Sequence, residues 1–195
     1  VPMRCDASVL LSNKTFAGSD TWDTAYTLAA GIRRWGTFDL VICGERATDG
    51  ETGQVGPGIA ASLDLPVVTY VVHVDRAGTD DLRIRRLAEG GEEVLRTPLP
   101  AVLTVMKEIA YPRLPTLRGK QQARRMELPV WGPENIEANQ AWLGLKGSPT
   151  RVVDIDKPKV AREGEVMRAK DPEAVRAAAA RIVAFLRQRQ FLHHD

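Results

Sequence analysis

Asp39 to Val71 reads DLVICGERATDGETGQVGPGIAASLDLPVVTYV. Its four apolar residues Leu40-Val41-Ile42-Cys43, bounded by turn residues, suit a strand buried on both faces. Gly44 ends the run, and a polar loop follows with Asp49-Gly50 as its turn signal. Gln54-Val55-Gly56-Pro57 then leads into Ile59, Ala60 and Leu63, which recur at helical spacing. Pro66-Val67-Val68-Thr69-Tyr70-Val71 is β-branched and aromatic, which predicts the next strand. Strand, glycine loop, helix and strand make a βαβ unit with an expected right-handed crossover.

This loop crosses the carboxyl end of a parallel strand and ends at a helix N-terminus. Unpaired N–H groups and the positive end of the helix dipole meet there, which suits a phosphate. Gly50, Gly53, Gly56 and Gly58 carry no Cβ, so backbone can approach a ligand closely. Thr52 and Gln54 offer side-chain donors. The loop has no Gly-Lys-[Ser/Thr] ending and no GxGxxG spacing. From the residues alone, an anion or nucleotide site and a plain glycine-rich turn stay level.

The remainder of the chain sets limits on the function. Its 195 residues suffice for one domain with a substantial core, or one domain plus an arm. Lys and Arg number 27 against 25 Asp and Glu, so no field of one sign steers it toward nucleic acid. No apolar run approaches a membrane span. Two cysteines, Cys5 and Cys43, predict free thiols in a reducing, cytoplasmic setting. His73, His193 and His194 show no ligand spacing with them, so no structural metal is expected. No nucleophile and base pair off, and carboxylates are scattered. A bound molecule is therefore expected to supply any reactivity. One short strand precedes the first helix, fewer than a parallel sheet wants, so further strands are expected ahead of Val1.

Upstream, Ala7 to Leu11 predicts that short strand. Ser19 or Asp20 caps a helix to about Trp35, with Ala25, Leu28, Ala29 and Ile32 as its apolar face. Thr21 and Thr24 stand one turn apart at its start, placed for a second phosphate or for capping alone. Downstream, Tyr70 to Val74, Asp81 to Leu87 and Glu93 to Thr97 predict antiparallel hairpins, and Leu99 to Val105 a returning central strand. Tyr111-Pro112-Arg113-Leu114-Pro115-Thr116-Leu117 is proline-fixed loop, followed by a basic stretch from Arg118 to Arg125 that suits a short helix or a solvated surface. Glu127 to Trp131 predicts a strand, Pro133 to Ala138 a helical turn or two, and Gly144 to Thr150 a loop. Asp156 to Lys170 is charged and linker-like. Asp171-Pro172 opens a last helix whose stripe of Val175, Ala178, Ala179, Ile182, Phe185 and Leu186 needs something to pack on.

Residues 39–71 resemble the signature of the electron transfer flavoprotein β subunit. Asp49-Gly50-Glu51-Thr52-Gly53-Gln54-Val55-Gly56-Pro57 is similar to that family's DGDTxQVGP loop. The resemblance is supported by Ala17 to Thr24, Leu99 to Val105, Pro112 to Leu117 and Leu145 to Thr150. It implies a Rossmann-like fold of the adenine nucleotide α-hydrolase type: a mostly parallel α/β sheet with antiparallel additions over residues 1–155, its first strands missing. Residues 156–195 would be a linker arm and a helix packing on a partner subunit. It further implies a heterodimer with an α subunit, passing electrons between acyl-CoA or other dehydrogenases and an acceptor. One branch of the family binds AMP and the electron-bifurcating branch binds FAD. The Asp20-Thr21 to Thr24 pattern and the Lys146 to Thr150 loop are closer to the FAD branch, with AMP as the alternative.

By that resemblance the cofactor would be held by Thr21, Thr24, Gly44, Arg46, Asp49, Gly50, Glu51, Thr52, Gln54, Val55, Gly56 and Pro57. Leu114, Pro115, Thr116, Leu117 and Arg118 would dock a partner dehydrogenase, with Leu117 as apolar anchor. The sequence departs from the family where Gly44-Glu45-Arg46 replaces Gly-Arg-Gln, and where Asp23 stands beside the two threonines as a charge expected to repel phosphate. Rival readings are a non-redox structural subunit holding AMP and an inactive truncated form.

Overall fold

The fold was analysed on a computed structural model that describes residues 5–76, 78–156 and 164–191. The chain divides into two compact units, Val1–Val153 and Asp154–Asp195. In the first, the expected α/β architecture is present. The strands are β1 (Leu10–Leu11), β2 (Leu40–Gly44), β3 (Val67–Arg76), β4 (Asp81–Ala88), β5 (Gly91–Pro98), β6 (Ala101–Val105) and β7 (Val130–Trp131). The helices are α1 (Thr21–Trp35), α2 (Val55–Leu63), α3 (Leu117–Arg125) and the single turn α4 (Gly144–Gly147).

A five-stranded sheet runs in the order β2-β6-β3-β4-β5. Strand β6 lies parallel between β2 and β3, and Ala101, Val102, Leu103 and Thr104 are buried. The βαβ pair therefore skips one strand: β2 and β3 flank β6 instead of touching. Beyond Val71, β3 continues as the antiparallel partner of β4, and β4 pairs with β5. The core under this junction is Val68, Val71, Leu82, Ile84 and Leu103. The strands β1 and β7 form a separate parallel pair.

Several expectations need correction. Among the described residues β2 has only β6 as a neighbour, and Ile42 is 61% exposed instead of buried on both faces. Among the described residues, only two each of the strands expected at 7–11 and 127–131 pair, Leu10 with Val130 and Leu11 with Trp131. Residues 133–137 form turns, not a helix. The buried side of α1 is Ala25, Ala29 and Ala30, and Leu28 lies off it.

Small residues on that side let two helices come close. A Cβ added to Gly58 of α2 would sit 2.7 Å from the Ala25 Cβ of α1. A Cβ on Gly56 would overlap the Thr104 methyl of β6. These two glycines let α2 rest closely on β6 and on α1. Thr104 is buried, and its hydroxyl accepts a 3.3 Å hydrogen bond from the Tyr70 N–H. Tyr70 stands at φ 55°, where the register of β3 shifts between Val68 and Val71. A bulky residue rarely takes this backbone shape, and a bulge re-aims the side chain it carries.

In the second unit, α5 (Pro172–Gln188) begins with the Asp171 cap and the N1 proline that the sequence predicts. The Asp171 carboxylate accepts from the Ala174 N–H at 2.8 Å. Val175, Ile182 and Phe185 on its apolar stripe are exposed. Residues 157–163 of the expected linker, and His193 and His194, lie outside the described residues.

Replacing Thr104 by Val keeps the shape but leaves the Tyr70 N–H without its acceptor, at an expected cost of about 1–3 kcal/mol. Replacing Gly56 by Ala forces α2 off β6, at about 1–3 kcal/mol. Urea unfolding of the two variants against the parent chain measures both.

Candidate functional site

The loop between β2 and α2 organises itself through short-range bonds. The Asp49 carboxylate accepts from the Gly50 N–H at 2.7 Å, and the Glu51 N–H donates to the Ala47 carbonyl at 3.1 Å. Glu51 takes a left-handed φ of 51°. The Gln54 N–H lies 3.5 Å from the Thr52 hydroxyl. Gln54 is the N-cap of α2, yet its side chain makes no capping bond. The N–H groups of Val55 and Gly56 find no acceptor among the described residues. Pro57 follows at the third helical position, where it has no N–H to satisfy. The start of α2 thus presents bare donors and an uncompensated dipole end.

Thr21 reaches this place. Its hydroxyl donates to Gln54 Oε1 at 2.9 Å, which leaves the Gln54 amide N–H groups free to donate. Thr24 lies one turn on, half-buried. Asp23, beside these threonines, is fully buried and turned inward. Its carboxylate accepts from the Ser19 hydroxyl at 2.5 Å and the Thr27 hydroxyl at 3.1 Å.

The start of α1 differs from that of α2 because a carboxylate already fills it. Asp20 accepts from the N–H groups of Trp22 and Asp23 at 3.0 and 3.1 Å. It also accepts from the Thr150 N–H and hydroxyl, both at 2.9 Å. The Asp20 N–H in turn donates to the Ser148 hydroxyl at 2.8 Å. These bonds tie residues 148–150 to the first turn of α1 across the length of the sequence. Burial alone would raise the Asp20 carboxyl. The hydrogen bonds from Asp23, Thr150 and Trp22 outweigh it and hold the group below the ordinary carboxylate value.

A cavity of about 600 Å³ opens at the carboxyl ends of the parallel strands β2 and β6. It is lined on one side by Gly44, Glu45, Arg46 and Glu51 and on the other by Val105, Met106 and Ile109. Arg46 is not free in it: its guanidinium lies 3.0 Å from Glu51 and 3.7 Å from Glu45. The cavity brings together Gly44, Arg46 and Glu51 of the expected set. The corner at the start of α2 brings together Thr21, Gln54, Val55, Gly56 and Pro57. Burial pushes the Cys43 thiol up, which keeps it protonated and unreactive on the adjoining strand.

Two contributors escaped sequence reasoning. Val105, Met106 and Ile109 line the cavity because β6 inserts beside β2, a strand order that no local pattern carries. Tyr70 reads as an ordinary strand aromatic, but its hydroxyl would lie 3.9 Å from a Cβ added to Gly53 of the loop. Only the bulge in β3 places it there.

The expected docking loop is fully displayed. Leu114 and Leu117 are 85% and 81% exposed, and the Thr116 hydroxyl caps α3 by accepting from the Gly119 N–H at 3.0 Å. Arg118, Lys120, Arg124 and Arg125 on α3 form no ion pair with a carboxylate among the described residues. No three His, Cys, Asp or Glu side chains gather among the described residues to hold a metal. No described helix is long and apolar enough to cross a membrane.

The lowered Asp20 value has a definite sign. The stability it contributes is full above its ordinary value of 3.8 and is lost as pH falls through the lower folded value. Acid unfolding of the parent chain should therefore include a component below that pH that Asp20→Asn lacks. The substitution should also cost about 1–3 kcal/mol at neutral pH, because an amide has one acceptor oxygen where the carboxylate uses two, one for the Trp22 and Asp23 N–H groups and one for Thr150. Thermal melts of both proteins across an acid pH series measure this.

Residues 1–135 match the model of the electron transfer flavoprotein domain. The chain is 40% identical over 181 residues to an electron transfer flavoprotein subunit beta of Thermoanaerobacterium thermosaccharolyticum, covering 92% of this chain and 69% of that one. It is 40% identical over 190 residues to the same subunit of Clostridium acetobutylicum, covering 97% and 71%. It is 36% identical over 190 residues to the caffeyl-CoA reductase-Etf complex subunit CarD of Acetobacterium woodii, covering 97% and 70%. With the loop of residues 49–57 in its place at the end of β2, this chain belongs to the electron transfer flavoprotein family, among its β subunits.

Proposed function

We propose that this chain binds FAD and, in a cytoplasmic heterodimer with an electron transfer flavoprotein α subunit, passes electrons between dehydrogenases and an acceptor. The observation that carries the reading is the open start of α2. There the N–H groups of Val55 and Gly56 have no acceptor among the described residues, and the Thr21 hydroxyl, by donating to Gln54 Oε1, leaves the Gln54 amide N–H groups free to donate. These groups fit the oxygens of a nucleotide phosphate. A cavity of about 600 Å³ also lies within the usual range for small-molecule sites. A bound flavin would supply the redox chemistry, and the chain's residues would hold and orient it.

AMP is a second reading, and one observation favours it. Asp20 occupies the start of α1, so only one of the two neighbouring helix termini is open to an anion. The chain would then hold AMP and support the α subunit without redox work of its own.

Co-purification with the α partner and the absorbance at 450 nm separate the readings. Two flavins per heterodimer support FAD in this chain. One flavin with an equivalent of released AMP supports the second reading. No nucleotide in this chain contradicts both.

In the same reading Leu114 to Arg118 docks the dehydrogenase, and α5 packs on the α subunit. An exposed apolar side chain amid cations acts as an anchor when a partner buries it. Leu117→Ala should cut dehydrogenase-dependent reduction of the heterodimer at least about tenfold while its flavin content stays unchanged. Steady-state kinetics and absorbance on one preparation read the two quantities.

A further inference from the structure

Tyr70 is held in a shape that its own packing does not explain. Its φ of 55° lies in the left-handed region, which an aromatic residue enters only under strain. The register of β3 against β6 shifts here, between Val68 and Val71. The buried Thr104 hydroxyl accepts the Tyr70 N–H at 3.3 Å and so satisfies the bulged backbone. Yet the side chain that this arrangement aims is 43% exposed, while Val68 and Val71 are buried. A residue strained for the sake of the core would lie inside it. Strain and a bulge spent on an exposed polar tip direct that tip.

The tip lies beside the loop between β2 and α2. A Cβ added to Gly53 would sit 3.9 Å from the Tyr70 hydroxyl and 3.6 Å from the Glu45 carbonyl oxygen. Gly53, at φ 65°, carries no such atom, and its bare side faces both oxygens. Neither oxygen is used within the chain. Among the described residues the Tyr70 hydroxyl makes no hydrogen bond, and the Glu45 carbonyl accepts none. The place adjoins the cavity at the carboxyl ends of β2 and β6. Glu45, Val105 and Met106 line that cavity, and Val71, next to Tyr70, pairs with Val105. The Met106 N–H also donates to the Val71 carbonyl at 2.9 Å.

One of the two free groups donates and the other only accepts. A phosphate oxygen would meet repulsion from the carbonyl. A sugar diol, which accepts and donates, satisfies both. Gly53 stands two residues before Val55, and two residues of chain span at most about 7 Å. A sugar joined directly to a phosphate on the Val55 and Gly56 N–H groups can therefore lie against Gly53. A base or ring edge also pairs a donor with an acceptor, but it stands a whole sugar further from the phosphate.

We propose that Tyr70 is a sugar-binding residue of the nucleotide site: its hydroxyl donates to the diol next to the phosphate, and the Glu45 carbonyl accepts from that diol. The assignment rests on the reading that the start of α2 receives a nucleotide phosphate.

Calorimetric titration of the full 195-residue chain with AMP, and with dideoxy-AMP whose ribose lacks both hydroxyls, tests it in the parent and in Tyr70→Phe. The substitution keeps the ring and removes one oxygen. It should weaken AMP about three- to tenfold, the worth of one hydrogen bond. Dideoxy-AMP should bind the parent more weakly than AMP does, and should bind the variant as it binds the parent. The ligand-free proteins should melt together, because the lost hydroxyl has no partner among the described residues. AMP binding indifferent to Tyr70→Phe overturns the proposal and leaves the phosphate reading standing. An equal loss for both ligands does the same, since it places the effect outside the diol. A parent chain that binds no AMP overturns both.

Discussion

Thr104 is the residue on which the corner of this fold depends. It sits buried in the central strand β6, opposite Cys43 of β2. Its methyl lies where a side chain on Gly56 would have to go, so the first turn of α2 rests directly on the sheet. Its hydroxyl takes the N–H that the bulge of β3 would otherwise leave without a partner. One side chain thus sets the height of the helix above the strands and the direction of Tyr70. The bare N–H groups of Val55 and Gly56 are placed by that contact, because a helix resting higher would carry them away from the carboxyl ends of β2 and β6.

The electrostatics of the corner follow from a carboxylate at the start of one helix and a neutral amide at the start of the other. Asp20 meets four donors and closes the start of α1. Gln54, uncharged and uncapping, leaves the start of α2 open. An anion approaching both helices meets one positive end and one neutralised end. Of the two cations that line the cavity, Arg46 is bracketed by Glu45 and Glu51 and Lys107 lies 3.5 Å from Glu108. The attraction at the site therefore comes from backbone dipoles more than from side-chain charge, and it changes little with the titration of any one group.

What was legible in the sequence followed local rules. The α1 cap at Asp20, the α2 start after Gln54, the hairpin of β4 and β5 and the Asp171-Pro172 opening of α5 all rest on neighbours in the chain, and each formed where expected. The residues proposed for the phosphate are likewise local: Gln54, Val55 and Gly56 are the cap and the first two positions of α2. What required the structure was long-range. Strand β6 inserts between β2 and β3, so the cavity wall of Val105, Met106 and Ile109 comes from far along the chain. Asp20 bonds to Thr150 across 130 positions. The packing use of two glycines was hidden for a related reason. Gly56 and Gly58 resemble ligand-approach glycines in the loop, and only the packing of α2 on Thr104 and Ala25 shows their use.

The central claim is that open backbone donors at the start of α2 receive a nucleotide phosphate. A crystal structure of the chain grown with AMP tests it most directly. The account predicts phosphate oxygens within hydrogen-bonding distance of the Val55 and Gly56 N–H groups and of the Gln54 amide. Phosphate density elsewhere, with the first turn of α2 still bare, would contradict it.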